Sequence, residues 1–246
     1  MSYKYLLLDL DGTLLPMDMH EFLTAYLRAV STRMAPYIAP DRFAKCLLAS
    51  TQAMVENLDP RRTNADVFWD DFVGRTGLDQ VEILPILERF YREEFPQLAP
   101  VTRPTPTARM VCTRAVEYGA ELVIATNPIF PRMAIEERLR WAGIADFPFR
   151  LVTAYENMHF CKPQTHYYQQ ILDRLGAGPE QCLMAGNDPE EDLVAQDLGI
   201  RTYLVVDCLV SRPGGGFRRP DHRGRLTDLA DFLAESVGRK KNAGAN

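Results

Sequence analysis

The chain opens on an apolar run, residues 4–9, that breaks off at a pair of aspartates, Asp9 and Asp11. A short continuous apolar stretch bounded by turn residues reads as a strand covered on both faces. Four more runs share that character, at 121–125, 149–154, 182–185 and 201–206, each rich in Leu, Val or Ile. Between them the apolar spacing becomes helical. Residues 107–118 place Met110, Val111, Ala115 and Tyr118 ahead of Gly119, and 131–142 place Ile135 and Leu139 ahead of Gly143. Residues 164–175 carry Tyr168, Ile171, Leu172 and Leu175 before Gly176; 190–198 carry Leu193, Val194 and Leu198 before Gly199. Helix, glycine stop, strand recurs through this part of the chain, the pattern of βα units. It predicts an α/β fold with a doubly wound, mostly parallel sheet.

Residues 17–102 break the rhythm. They hold no convincing strand, and apolar residues recur at helical spacing in four segments. Phe22, Tyr26, Val30 and Met34 mark the first, and Phe43, Leu47, Met54 and Leu58 the second. Phe68 and Phe72 mark the third, and Leu84, Leu87, Tyr91 and Phe95 the fourth. The division predicted is an α/β core from 1–16 and 103–246, with an all-helical insertion at 17–102. Pro96, Pro100, Pro104 and Pro106 would stiffen the return to the core, since proline restricts both its own backbone and that of its predecessor. At the other end, 211–225 is a basic loop with three consecutive glycines at 214–216. The glycines suggest a phosphate cradle, but the Lys-Ser/Thr of a Walker motif is missing, and a surface loop is the expectation. A last helix is predicted over 227–237 with Thr227 as its N-cap, followed by a disordered tail at 238–246.

Composition narrows the function. A formal charge of -5 gives no basic footprint for nucleic acid. Five cysteines without a CxxC pair read as reduced thiols, and the four histidines lack zinc-ligand spacing. No stretch approaches the roughly 20 apolar residues of a membrane helix, and the opening apolar run is too short for a signal peptide. A cytoplasmic protein with no membrane or nucleic-acid partner is the expectation.

The chemistry gathers at strand ends. In Asp9-Leu10-Asp11-Gly12-Thr13 the two carboxylates lie two apart, which in extended chain puts them on one side. So close a pair repels unless a cation or a shared proton compensates. Taken alone, the pentad is equally an ordinary Asp-Gly turn. Thr126-Asn127, Lys162-Pro163 and Gly186-Asn187-Asp188 follow three other predicted strands. Singly these read as a helix cap, a solvated lysine and an acidic helix start. Jointly they fall where open α/β sheets bind ligands, outside the carboxyl ends of the strands. Asp192, four residues after Asp188, would share a helical face with it.

This set, Asp9-x-Asp11-Gly12-Thr13, Thr126, Lys162-Pro163 and Gly186-Asn187-Asp188-x-x-x-Asp192, resembles the haloacid dehalogenase (HAD) superfamily of phosphohydrolases. All four family motifs appear in the family's order, across roughly 1–15 and 103–237. The resemblance implies a Rossmann-like core with a helical, C1-type cap at 17–102. It implies a phosphatase that hydrolyses a small phosphorylated metabolite, with Asp9 as nucleophile and Asp11 as acid and base. Thr126, Asn127 and Lys162 would bind the phosphate. Mg2+ would be held by Asp9, the Asp11 carbonyl and Asp188, with Asp192 in support. Asn187 is a departure, since many relatives place glycine directly before the metal-binding aspartate. Asp11 argues against a dehalogenase, which lacks that second aspartate. Lys45 is the single lysine of 17–102, which argues against a phosphonate hydrolase. A phosphomutase on a sugar phosphate would use the same residues; a non-catalytic phospho-ligand-binding protein would keep the fold, but loss of Asp9, Asp11, Lys162 or Asp188 would favour it and all four are present. A response-regulator-like phosphoacceptor would lack so large a helical insertion. His20, Arg61, Arg62 and Trp69 are insertion residues considered for the site; packing or surface roles are expected for most, and Trp69 and Phe72 are expected in the core of the insertion.

Overall fold

The computed structural model describes residues 3–212 and 218–243. Strand β1 (Tyr5–Leu8) is followed by four helices, α1 (Met19–Met34), α2 (Pro40–Glu56), α3 (Asn64–Thr76) and α4 (Gln80–Glu93). The chain then runs through α5 (Pro106–Tyr118), β2 (Glu121–Ile124), α6 (Arg132–Trp141), β3 (Phe149–Val152), α7 (Thr165–Leu175), β4 (Cys182–Gly186), β5 (Arg201–Val205), β6 (His222–Gly224) and α8 (Leu226–Ala243). The strands form one sheet in the order β3-β2-β1-β4-β5-β6, with every pairing parallel. The order reverses beside β1, so the first strand lies at the switch point where such sheets bind ligands. The α/β, doubly wound parallel fold expected from the sequence is the fold found.

Why β1 sits centrally follows from its residues. All four side chains are buried, and they alternate between faces as a pleated strand requires. Leu6 and Leu8 join a core that runs through α5, α8 and the helical insertion. Tyr5 and Leu7 join a second core beneath α7. A strand with both faces covered needs no polar position, which is why its run is continuously apolar.

The segment between β1 and α5 is helical, as its periodicity indicates. Asp18 caps α1 by accepting from the Glu21 amide at 2.9 Å. Thr63 and Asp66 form a reciprocal capping box at the start of α3. Phe43 and Phe72 meet edge to face with centroids 5.7 Å apart, and Trp69 is buried beside them. The insertion is tied to the core through backbone: the Asn64 amide donates to the Met158 carbonyl at 2.7 Å and the Ala65 amide to the Tyr155 carbonyl at 2.9 Å.

Several local expectations differ from what is found. The proline-rich return begins with a 3-10 helix, Phe95–Val101, and α4 tolerates Pro85 in its interior. In place of a helix over 190–198 there is a turn and a six-residue 3-10 helix, Leu193–Leu198. Pro189 and the Asp188 carboxylate, which accepts from the Glu190 amide, hold residues 188–191 in the turn. The last helix begins at Leu226, not after Thr227, because Asp228 accepts from the Arg225 amide at 2.7 Å and Asp207 from the Leu226 amide at 2.7 Å. It continues to Ala243, through most of the tail expected to be disordered. The glycines at 214–216 lie outside the described residues. No described helix is long and apolar enough to cross a membrane, and the five cysteines are free.

Leu7→Ala would open a cavity where no collapse is possible, between a central strand and α7. The loss expected is about 2–5 kcal/mol. Urea unfolding should show a lowered midpoint with an unchanged slope.

Candidate active site

Asp9 follows β1 directly, and its amide still donates to the Ala185 carbonyl of β4 at 2.9 Å. The chain then folds sharply: the Thr13 and Leu15 amides both return to the Leu10 carbonyl. Gly12 makes this possible. Its φ is +81°, and a β-carbon there would stand 2.4 Å from the Asn187 side-chain nitrogen. Glycine is needed for the backbone angle and for the close approach alike. The Thr13 hydroxyl lies 2.9 Å from Asp9 Oδ2 and 3.0 Å from Asn187 Oδ1. Asn187 also donates to the Cys208 carbonyl at 2.6 Å. The residue that departs from the family pattern therefore buttresses the turn that carries Asp9.

The other oxygen of Asp9, Oδ1, accepts from Lys162 Nζ at 3.0 Å. The same ammonium lies 2.6 Å from Asp192 Oδ1. Asp192 Oδ2 in turn accepts from the Asp188 amide at 2.9 Å. A β-carbon on Gly186 would fall 2.0 Å from that carboxylate, so β4 must end in glycine for Asp192 to reach in. Lys162 is buried. Burial alone would lower its pKa, but Asp192 and Asp9 outweigh it and raise the pKa well above the usual lysine range. The lysine stays charged.

Asp11 is held apart from Asp9. Its Oδ2 pairs with the guanidinium of Arg138, on α6. Its Oδ1 is buried with no hydrogen-bond partner. Burial raises the Asp11 pKa, against the pull of Arg138. Arg138 is completely buried. Its guanidinium lies 4.4 Å from the Phe130 ring centre and 5.9 Å from that of Phe22, within cation–π range. The sequence reading missed it, although it shares the apolar face of α6 with Ile135 and Leu139. An arginine three residues after one core residue and next to another is a signal that a buried carboxylate waits for it.

Asp188 carries a second unforeseen partner. Arg212 grips it with both nitrogens, at 2.7 and 2.6 Å. Burial would raise the Asp188 pKa, but Arg212 and the Glu190 and Glu191 amides hold it below the usual carboxylate range. Thr126 and Asn127 follow β2. The Thr126 carbonyl accepts from the Tyr167 hydroxyl at 2.9 Å. The Asn127 side chain accepts from the Lys162 amide at 3.2 Å and donates to Glu191 at 3.2 Å.

Asp9, Asp11, Thr126, Asn127, Asp188 and Asp192 thus line one cavity of about 760 Å3. Lys162 stands behind Asp9 rather than on the wall. His20, in the insertion, and Arg103, where the chain returns to the core, also line the cavity. Arg61 and Arg62 do not reach it; they pair with Asp59 and Asp70 at 2.8 and 2.5 Å. Trp69 lines a different cavity.

With this geometry in view, the comparisons with known proteins agree. The family model for haloacid dehalogenase-like hydrolases matches residues 3–199. The chain is 31% identical over 134 residues to a phosphoserine phosphatase of Thermus thermophilus, a match covering 54% of this chain and 51% of that protein. It is 28% identical over 105 residues to a pyrophosphatase PpaX of Bacillus cereus, covering 42% of this chain and 48% of the other. The chain thus spans about half the length of these curated relatives. Among solved structures, a HAD phosphatase from Thermococcus onnurineus superposes with a TM-score of 0.59 at 20% identity, covering 94% of this chain and 97% of that one. An L-2-haloacid dehalogenase from Xanthobacter autotrophicus does so at 0.57 and 15% identity, covering 94% and 98%. Phosphatase and dehalogenase share the fold, so the fold alone does not choose between them.

Arg138→Met leaves Asp11 buried without its cation, which commonly costs about 3–5 kcal/mol. The Asp11 pKa in the folded protein, already raised, would rise further, so the ionised form is what the fold loses. The unfolded aspartate is the same in both proteins, so this part of the deficit is absent while Asp11 is protonated in both folded states and grows as pH rises through its wild-type folded pKa, which burial sets above the usual aspartate value. Urea unfolding of both proteins at several pH values should show the gap smallest in acid and widening as pH rises through that pKa.

Proposed function

Since this chain belongs to the haloacid dehalogenase-like hydrolases, we propose that it is a magnesium-dependent phosphatase that hydrolyses a small phosphomonoester through Asp9. One observation carries the reading: Asp9 borders an open cavity with its carboxylate fixed by Lys162 and Thr13, while Asp11, two residues on, borders the same cavity. A non-catalytic binding protein would have no need of both. The phosphatases among the relatives favour the same chemistry.

In this reading an Asp9 oxygen attacks phosphorus as the bond to the leaving oxygen breaks. Asp11 gives that oxygen its proton, and burial, by favouring the neutral acid, keeps the proton available at the start. A water molecule then attacks phosphorus and passes its proton to Asp11. The bond from Asp9 to phosphorus breaks, and phosphate leaves. Lys162 offsets the charge at Asp9, and the Thr126 hydroxyl and Asn127 are proposed to orient the phosphoryl oxygens.

The donor set fits magnesium. The Asp9 and Asp188 carboxylates and the Asp11 main-chain carbonyl are hard oxygen ligands, and waters and phosphate would complete the shell. Among the described residues, no three His, Cys, Asp or Glu side chains converge on a metal position; the proposed set has two carboxylates and a carbonyl. Arg212 already supplies positive charge at Asp188 and would have to give way at one oxygen or more for that carboxylate to bind a cation. When bound, the ion would neutralise the repulsion between a carboxylate and a phosphate dianion. The helices of 17–102 are proposed to act as a cap.

The test is release of phosphate from an aryl phosphate. Turnover should need magnesium and should disappear in Asp9→Asn. Asp11→Asn should lower kcat by about 10²–10⁴-fold. Turnover unchanged in Asp9→Asn, or none from folded wild type on any phosphomonoester, would refute the proposal.

A further inference from the structure

The helical insertion lines a second cavity, of about 220 Å3 and partly open to solvent, between its four helices and the segments around residues 130 and 155. Its wall is made of side chains such as Val30, Leu47, Leu87 and Trp69, and it holds no lysine, arginine or histidine. Two carboxylates, Glu88 and Glu156, also line it, and several of its polar groups are bonded to neighbouring protein atoms. The Tyr26 and Tyr91 hydroxyls pair at 2.7 Å. Thr51 donates to the Leu47 carbonyl at 2.9 Å. Glu156 accepts from the Arg132 amide at 2.9 Å. Protein interiors are close-packed, with few voids larger than a water molecule. An apolar cavity of about 150 Å3 stays dry and admits benzene, and this one is larger.

Its position gives it a use. Leu23, Ile129 and Phe130 line both this cavity and the one over Asp9. Phe130 stacks against Arg138, the partner of Asp11, on one side. On the other its ring meets that of Tyr26 with centroids 5.2 Å apart. The apolar space therefore adjoins the cavity over Asp9 across a shared wall, and the contacts run from Phe130 through Arg138 to the acid that would protonate the leaving oxygen. We propose that this cavity receives the leaving group, and that the substrate is the phosphomonoester of an apolar alcohol with a tail of about eight carbons. The proposal rests on the phosphatase reading of Asp9. A polyanionic leaving group would find no lysine, arginine or histidine to pair its charge and would face the Glu88 and Glu156 carboxylates, at a large desolvation cost. An alkyl chain would replace empty space with contact.

The experiment uses ethyl, butyl, hexyl and octyl phosphate with magnesium present. Two quantities are read: kcat/KM on wild type, and affinity for the Asp9→Asn variant by calorimetry. Both should rise by about fourfold for each added methylene, the factor expected for burying one CH₂. Leu27→Trp, which fills the cavity, should flatten the series beyond ethyl phosphate and leave ethyl phosphate turnover as it was. That turnover also reports that the variant is folded, and the wild-type series decides the matter if it is not. Turnover with no dependence on chain length overturns the leaving-group assignment and leaves the phosphatase reading standing. An affinity series that rises without turnover keeps the cavity's role as an apolar subsite and removes the phosphatase reading. A flat series without turnover overturns both.

Discussion

The structure depends on one buried ammonium. Lys162 stands between Asp9 and Asp192, where the carboxyl ends of several parallel strands converge. Carboxylates crowded there would repel each other out of the fold if nothing opposed them. The lysine joins three parts of the chain in one contact: the end of β1, the loop before α7 and the turn after β4. Removing either partner from such a pair leaves an uncompensated buried charge, which is far more costly than the pair itself is stabilising. Asp192 reaches the lysine only because Gly186 leaves room. Asp9 keeps its direction because Thr13 and Asn187 hold the turn below it.

The remaining carboxylates follow the same logic. Asp11 has Arg138, and Asp188 has Arg212. The two pairs differ in setting. Arg138 is sealed between aromatic rings and completely buried, so it is a fixed part of the core. Arg212 is substantially exposed and lies on a surface segment, where water can solvate a guanidinium that lets go. The fixed cation holds the Asp11 carboxyl in place while burial keeps its pKa raised, and the exposed cation at Asp188 can give way where a metal would bind. Phe130 links the first of these pairs to the apolar cavity of the insertion, so the helices at 17–102 and the carboxylates at the strand ends form one continuous arrangement.

Much of this was legible in the sequence. Continuous apolar runs gave five of the six strands, because a parallel strand buried on both faces has nowhere to place a polar side chain. His222–Gly224 escaped because a three-residue edge strand of polar composition carries no such pattern. Residues 190–198 were misread as a regular helix because Leu193, Val194 and Leu198 have helical spacing that the short 3-10 segment satisfies equally. The residues at the strand ends, Asp9, Asp11, Thr126, Asn127, Lys162, Asp188 and Asp192, do come together. Of their unforeseen cationic partners, Arg138 is marked only by its place on the apolar face of α6, and Arg212 has no periodic mark at all. Asn187 looked like a departure from a motif, and the structure shows it filling the space that Gly12 leaves open.

The central claim is that Asp9 itself carries the phosphoryl group. The most direct measurement is to quench the reaction in acid during turnover with magnesium and locate the phosphoryl group by peptide mass spectrometry. The account predicts an acid-stable, base-labile phosphoryl group on the peptide containing Asp9, lost in Asp9→Asn. Steady hydrolysis of the phosphomonoester with the Asp9 peptide unmodified at every quench time would contradict it.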